Sequence, residues 1–214
     1  MSNKVLVFGA SSQIGVHLKE LLRAAGGTAV AVTRAGADER ADVVDAAAVE
    51  AVFAKHPDAA AVVSLVGGRP FRKDPVPADL EGNRNLIEAA RRHGVRRFVL
   101  ITTIGAGDSH DAAPAIARMV LGRFMKLKTQ AEELLRNSGL DWTIIRPGHL
   151  KDGPATGRAI LATDPTTKGA VQRADVAAGP DRRRLETGER RGQCFELSRR
   201  LEVVLAAQVG DDAL

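Results

Sequence analysis

The sequence predicts an α/β fold, a doubly wound parallel sheet with helices on both faces, and three observations carry that expectation. Apolar, β-rich runs alternate with amphipathic helical runs without a break from Val5 to Ile145, the pattern of a sheet covered by helices on both sides. The strand runs are apolar at consecutive positions, as in Val5-Leu6-Val7-Phe8, which suits strands buried on both faces. Residues 4–34 hold a strand, a glycine-bounded turn, an amphipathic helix and a second strand, the content of one βαβ crossover. No internal repeat or linker interrupts the series, so residues 1–214 read as a single domain, with 149–214 completing its pocket.

Each element has a local cause. Residues 5–8 form the first strand. Residues 13–25 form a helix with Ile14, Leu18, Leu21 and Leu22 on one face, ended by Gly26-Gly27 as helix C-termini commonly are. Residues 28–33 form the second strand. Asp42-Val43-Val44-Asp45 lead into a short helix over 46–54, closed by His56-Pro57. Residues 60–66 are a buried strand ending in Gly67-Gly68, and the three prolines and mixed charge of 69–77 mark a loop. A helix over 79–93 turns Leu80, Leu86, Ile87 and Ala90 inward and stops at Gly94. Residues 97–103 are a strand and 105–113 a loop rich in Gly and Asp. Residues 114–137 read as a helix broken near Gly122 and stopped by Gly139; 142–145 are a strand running into Arg146-Pro147-Gly148. Beyond Gly148 the pattern weakens. Residues 156–163 and 193–197 read as strands, 173–178 as the start of a helix, and 201–209 as a closing helix. Residues 179–192 have no apolar periodicity and are expected to be poorly packed or mobile.

Composition narrows the function classes. The chain has 214 residues, a net charge of +5 and a pI near 9.8, which brings nucleic acid into consideration. The excess charge sits late, in Arg182-Arg183-Arg184, Arg190-Arg191 and Arg199-Arg200, and the aromatic content of 3% leaves few platforms for stacking bases. A solvated basic tail is the better reading, and no nucleic acid partner is expected. The apolar runs are broken well before membrane-spanning length, so no membrane partner is expected. Met1-Ser2-Asn3-Lys4 leads directly into a strand with no secretory signal, and the lone Cys194 has no internal disulfide partner; a cytoplasmic location follows as the expectation. Cys194 lies in an apolar strand-like run and reads as a packing residue. His93, His110 and Asp111 lack metal-ligand spacing, so no metal site is expected. No long apolar surface helix marks an interface, and the oligomeric state is not legible. The chain contains no tyrosine, which excludes every mechanism that needs a phenol as general acid.

The turn Gly9-Ala10-Ser11-Ser12-Gln13-Ile14-Gly15 carries the chemistry. Gly9 permits a tight turn, and Gly15 lets the helix pack close to the sheet. Ser12 stands where a third glycine is usual; it is small and can donate to a phosphate. Free N–H groups and the positive end of the helix dipole converge at this point, which suits a pyrophosphate. A strand, this turn and a helix at the start of a βαβ unit make a Rossmann-type dinucleotide site. The second strand ends in Thr33-Arg34, where an acidic residue would hold the ribose 2′-OH of NAD. Arg34 can pair instead with a 2′-phosphate, so NADP(H) is the expected cofactor; otherwise Arg34 is a plain surface arginine.

Several blocks resemble the atypical short-chain dehydrogenase/reductases, in particular their NmrA-like branch and the branch of flavin and biliverdin IX-beta reductases. The turn resembles the Gly-Ala-Thr/Ser-Gly-x-Ile/Val-Gly fingerprint of the family. Asn85-Leu86-Ile87-Glu88-Ala89-Ala90, Gly94-Val95-Arg96-Arg97-Phe98-Val99, Lys128 with Glu132, and Ser138-Gly139-Leu140-Asp141-Trp142-Thr143-Ile144-Ile145-Arg146-Pro147-Gly148 resemble further family blocks in collinear order over residues 4–178, with a return at 192–198. The resemblance implies that Gly9, Ser11, Ser12, Gln13 and Ile14 line the pyrophosphate and that Arg34 meets the 2′-phosphate. It places Asp42 and Val43 beside the adenine, and Leu65, Val66 and Gly67 over the adenosine side and ribose. Thr102 and Thr103 then end the central strand beside the nicotinamide, and Pro147, Gly148, His149 and Leu150 pass over its face.

The departures matter equally. The family's Tyr-x-x-x-Lys is represented by Phe124 and Lys128, so the tyrosine is gone. Lys128 is then either a ligand of the nicotinamide ribose or a surface lysine. Thr103 replaces the usual serine and can donate a hydrogen bond to a substrate. A branch of the family without the tyrosine reduces flavins and biliverdin-type tetrapyrroles with NADPH, and its members resemble the segment 147–157, including a histidine at the place of His149. Hydride transfer belongs to the cofactor, and a planar conjugated acceptor can stack on the nicotinamide and take its proton from solvent. His149 either helps to orient or protonate the acceptor or is a loop histidine without a role. The expectation is an NADPH-dependent reductase of a flavin, quinone or tetrapyrrole, with Thr103, Lys128 and His149 as catalytic candidates. The alternative is a catalytically inactive NADP(H) sensor that regulates a partner. A nucleotide-sugar epimerase or dehydratase is disfavoured, because those enzymes use the tyrosine and a larger C-terminal domain.

Overall fold

The computed structural model describes residues 2–68, 77–157, 159, 164–178 and 193–197. Its elements are β1 (Lys4–Phe8), α1 (Gln13–Ala24), β2 (Thr28–Thr33), β3 (Glu39–Arg40), α2 (Ala46–Lys55), β4 (Ala61–Ser64), α3 (Asn83–Arg92), β5 (Arg97–Ile101), α4 (Ala115–Arg136), β6 (Asp141–Pro147), β7 (His149–Lys151), β8 (Ala170–Gln172), α5 (Arg173–Ala178) and β9 (Gln193–Leu197). Seven strands form one sheet in the order β3-β2-β1-β4-β5-β6-β9, with every pairing parallel. The order reverses between β1 and β4, which opens a crevice at their carboxyl ends. This is the expected Rossmann-type doubly wound sheet.

The consecutive apolar residues of each strand divide between the two faces, as a period of two requires. Val5, Val7, Ala31, Val63 and Val99 pack with Leu18 and Leu22 of α1 and with Val176 and Ala177 of α5. Leu6, Phe8, Val32, Val62, Phe98 and Leu100 pack with Phe53 of α2, Leu86 and Ala90 of α3, and Leu135 of α4. The helices start and stop where local chemistry directs. Asp45 caps α2 by accepting from the N–H groups of Ala47 and Ala48, and glycines at positive φ follow α3 and α4, Gly94 at 71° and Gly139 at 76°.

Four local expectations are corrected. α4 runs unbroken through Gly122. That glycine is exposed and touches nothing, so it costs the 22-residue helix only about 1 kcal/mol. The helix expected from residue 79 begins instead as a wider π-helical turn, Ala78–Gly82, and becomes α-helical at Asn83. The loop over 105–113 contains 3₁₀ turns at Gly107–Ala112. In the strand expected over 156–163, Thr156 and Gly157 form a turn whose N–H groups both donate to the Asp175 carboxylate, at 2.7 and 2.9 Å. The short strands β3, β7 and β8 have no counterpart in the sequence reading, because two or three residues are too few to show a period. β9 lies where a strand was expected, parallel to β6. The expectations for 69–76, 179–192 and 198–214, the closing helix over 201–209 among them, and for the packing of Cys194 lie outside the described residues and side chains.

One buried charge network braces the carboxyl edge of the sheet. Glu132 of α4 is fully buried and Arg146 of β6 is 1% exposed. Arg146 donates through Nε to Glu132 Oε1 at 2.9 Å and through Nη2 to Oε2 at 2.6 Å. The Thr102 hydroxyl, just past β5, donates to Oε1 at 2.7 Å, and Arg136 donates to Oε2 at 3.1 Å. Asp108 takes the remaining guanidinium arm. A Cβ at Gly107, whose φ is +57°, would overlap that guanidinium, so glycine is required there.

Removing one partner of such a pair strands a buried ion, which typically costs about 3–5 kcal/mol. Glu132→Ala is therefore expected to lower the unfolding free energy measured by denaturant titration by that amount, and the double variant with Arg146→Met to recover part of the loss. Burial raises the pKa of the Asp108 carboxyl, and the hydrogen bond and charge of Arg146 outweigh it, so the group titrates below its ordinary 3.8. Its contribution to stability is complete above that value and is lost as the pH falls through the lower folded value. In acid melts from pH 5 downward, Asp108→Asn is expected to flatten the fall in stability below about pH 4.

Candidate functional site

The crevice between β1 and β4 is closed by backbone contact. Gly9 ends β1 at a φ of +79°, and a Cβ there would meet the Leu65 carbonyl carbon and oxygen at 2.9 Å. The Leu65 N–H donates to Phe8 O at 2.9 Å, and the Ser12 N–H to Gly9 O at 3.0 Å. Gly15 lies so close to the turn that a Cβ would stand 2.8 Å from the Ala10 Cα. Ser12 caps α1 by accepting from the Gly15 N–H at 3.1 Å, which leaves its hydroxyl proton free to donate. The N–H groups of Gln13 and Ile14 have no carbonyl partner among the described residues, as expected of the first helical turn. The Ile14 side chain is buried in the core, so only its backbone can face a ligand. A glycine cradle and unpaired N–H groups at a helix N-terminus fit a dinucleotide pyrophosphate.

Beyond the turn, Arg34 is exposed just after β2, and the Thr33 carbonyl accepts from the Gly36 and Ala41 N–H groups at 3.3 and 3.1 Å. Asp42 is exposed. The Val43 side chain turns inward: it is 9% exposed, and a Cβ on Gly82 would strike it. Its carbonyl accepts from the Asn85 side-chain amide at 2.9 Å. Leu65 is half-buried, Val66 buried and Gly67 exposed at the end of β4.

Lys128 is buried, which removes the surface-lysine alternative. It is 4% exposed, and its Nζ donates to Val66 O at 2.8 Å. The same Nζ lies 2.8 Å from Asp79 Oδ1, an ion-pair approach without hydrogen-bond alignment. Asp79 Oδ2 accepts from the Gly68 N–H at 2.6 Å. Asp79 sits in the π-helical turn before α3, and Asn83 at the start of α3 fixes that turn. The Asn83 amide donates to Asp79 O at 2.8 Å, and its carbonyl oxygen accepts from the Ser64 hydroxyl at 2.6 Å. Ser64 and Asn83 are fully buried and Asp79 is 3% exposed. One unbroken polar chain thus runs from β4 through α3 to α4 beneath the crevice. The Phe124 ring, four residues before Lys128, has its centroid 5.5 Å from Nζ, so an aromatic ring without a hydroxyl neighbours the lysine.

Thr102 and Thr103 follow β5. The Thr102 hydroxyl is committed to Glu132; Thr103 is half-buried. Beyond β6, Pro147 is buried, Gly148 and Leu150 are half-buried, and His149 is exposed on β7. β7 pairs in parallel with β8, His149 opposite Ala170. The His149 N–H donates to Gly169 O at 2.9 Å, and a Cβ on Gly148 would overlap that same carbonyl. The sheet order thus brings Gly9, Leu65 to Gly67, Thr102, Thr103 and the segment 147–150 to one edge, with Lys128 reaching in from α4. Asp79 and Asn83 were missed by the sequence reading. Their i,i+4 spacing beside Gly82 was visible, but an acidic and an amide residue at a helix start read equally well as ordinary capping. Among the described residues no cluster of His, Cys, Asp and Glu could hold a metal ion, and no helix is long and apolar enough to cross a membrane.

The comparisons agree with this geometry. A family model for NAD(P)H-binding domains matches residues 9–179. The uncharacterized sugar epimerase YhfK of Bacillus subtilis is 30% identical over 187 residues, covering 81% of this chain and 84% of that protein. Sanguinarine reductase of Eschscholzia californica is 32% identical over 135 residues, covering 61% of this chain and 48% of that one. The structure of ChuY, described as an anaerobillin reductase from Escherichia coli O157:H7, is 34% identical at a TM-score of 0.71, covering 82% of this chain and 87% of that one. With its switch-point cradle and a family match across most of its length, the chain belongs to the NAD(P)H-binding atypical short-chain dehydrogenase/reductases.

Proposed function

We propose that the protein is an NADPH-dependent reductase that delivers hydride to a planar conjugated acceptor, a flavin, quinone or tetrapyrrole, without a catalytic tyrosine. The observation that carries the reading is Phe124 beside Lys128 in a cleft whose cofactor features are otherwise kept. Enzymes of this family that act on carbonyl or nucleotide-sugar substrates use the tyrosine to move a proton; a conjugated acceptor spreads the incoming charge and can be protonated by water. The relatives described as reductases of anaerobillin and of sanguinarine support this choice over the epimerase named for the Bacillus relative.

Each residue has a stated task in this reading. The turn from Gly9 to Ile14 holds the pyrophosphate with backbone N–H groups, and Ser12 adds a hydroxyl. Arg34 pairs with the 2′-phosphate and selects NADP(H). Asp42 and the Val43 backbone flank the adenine. Leu65, Val66 and Gly67 cover the ribose side, and Lys128 offers an N–H to the nicotinamide ribose. Bound there, the nicotinamide supplies the hydride. Thr102 acts through its backbone and Thr103 donates to the acceptor. Pro147, Gly148 and Leu150 form the wall over the nicotinamide face, and His149 orients the acceptor or hands it a proton.

The test is oxidation of NADPH and of NADH followed by absorbance, with FMN, a small quinone and biliverdin as acceptors. Turnover with a preference for NADPH is expected. Arg34→Asp should raise the KM for NADPH at least about tenfold while sparing NADH, the scale of one charge-assisted contact. His149→Ala should lower kcat, by about a hundredfold if the imidazole is the proton donor. Tight NADPH binding with no oxidation by any acceptor would favour the alternative, a dinucleotide sensor acting on a partner.

A further inference from the structure

We infer that Asp79 is a positioning residue for the nicotinamide-side half of the dinucleotide: it holds the Lys128 ammonium and the Gly68 backbone at one point of the cleft wall. The inference rests on the cofactor reading above and adds a residue to it. Two opposite charges are almost wholly buried here, side chains 5% and 4% exposed. Taking either out of water alone is costly, so each is tolerable only beside the other.

The surroundings place the Asp79 carboxylate from several sides. Its backbone carbonyl accepts from the Asn83 amide, which is anchored in turn on Ser64. One carboxylate oxygen receives the Gly68 N–H and the other faces Nζ. π-helical turns of this kind are often found at functional sites. An ammonium carries three N–H donors; Val66 O takes one, and Asp79 Oδ1 stands beside Nζ as a counter-charge without hydrogen-bond alignment. No other acceptor among the described residues takes an Nζ–H, and the Phe124 ring lies with its centroid 5.5 Å from Nζ. Nζ lies directly behind exposed Gly67, where a Cβ would stand 2.8 Å from it. A charged donor with N–H capacity to spare therefore sits behind a single glycine at the end of β4.

The sheet order says which half of the cofactor it serves. β4 lies between β1, which carries the pyrophosphate turn, and β5, which leads to Thr102 and Thr103. Lys128 arrives from α4, on the β5 and β6 side. In the cofactor reading the adenosine half is met at the α1 turn, Arg34, Asp42 and Val43, while the Leu65–Gly67 wall runs on to the ribose that Lys128 serves. Adenosine 2′,5′-bisphosphate, which lacks the nicotinamide half, is thus an internal control.

Binding of NADPH and of adenosine 2′,5′-bisphosphate should be measured by calorimetry for the wild type, Asp79→Asn, Lys128→Met and the double variant. Asparagine keeps an acceptor for Gly68 and removes only the charge. Asp79→Asn is expected to weaken NADPH about tenfold and to leave the bisphosphate within about twofold. In the Lys128→Met background Asp79→Asn should weaken NADPH no further, and it should restore thermal stability lost when the aspartate was left unpaired. Equal losses for both ligands, no loss of NADPH affinity, or an undiminished effect without Lys128 would each overturn the inference. A wild type that binds neither ligand would instead bring down the cofactor reading, and the inference with it. Should Asp79→Asn not fold, Gly67→Ala keeps both charges and pushes Nζ aside with its Cβ; the same selective loss of NADPH affinity is expected, and its absence would count against Asp79.

Discussion

The Glu132–Arg146 pair is the interaction on which the rest of the site depends. Two fully desolvated ions survive in the core only because every arm is matched: Arg146 spans both carboxylate oxygens, and Thr102 and Arg136 fill the remaining acceptor positions. The pair is a costly way to stabilise a core compared with apolar packing, but it is directional. It ties α4 to the ends of β5 and β6 in one rotational setting. Lys128 stands one turn before Glu132 on the same helix, so the setting that satisfies Glu132 also delivers Lys128 to the end of β4.

From that anchor the cleft is assembled by a second buried polar chain. Ser64, Asn83, Asp79 and Lys128 connect β4, α3 and α4, and Asn85 connects α3 to the Val43 carbonyl beyond β3. The N-terminal end of α3 therefore controls both flanks of the crevice. Glycine does the complementary work where backbone must approach backbone. Gly9 against Leu65, Gly15 against Ala10 and Gly148 against Gly169 are contacts that no side chain could share.

The chemistry left to such a site is defined by what it holds beside Lys128. In place of a phenol there is a phenyl ring with its centroid 5.5 Å from an ammonium that is itself paired with Asp79. A site of this kind can bind, orient and exclude water, while the electrons come from the dinucleotide. That division of labour is the one the proposed function rests on, an acceptor whose own conjugation stabilises added charge.

The amino-acid pattern by itself determined the alternation of strands and helices, the parallel sheet, the glycine turn, the Arg34 position and the missing phenol. These are written in local signals: runs of apolar residues, helical periodicity, glycine at a turn, one residue type absent from the chain. It misjudged Gly122, because a helix long enough to be held at both ends tolerates one exposed glycine. It passed over β3, β7 and β8, which exist only through their partners. The tertiary structure alone decided that Lys128 is buried, that Asp79 is its counter-ion, that Thr102 serves Glu132 and that the Val43 side chain points into the core. Those outcomes depend on which groups meet after residues far apart in the chain are folded together, such as Lys128 and Val66, 62 positions apart. A buried charge must find its partner at short range whatever the sequence distance, and hydrophobic periodicity carries no record of that pairing.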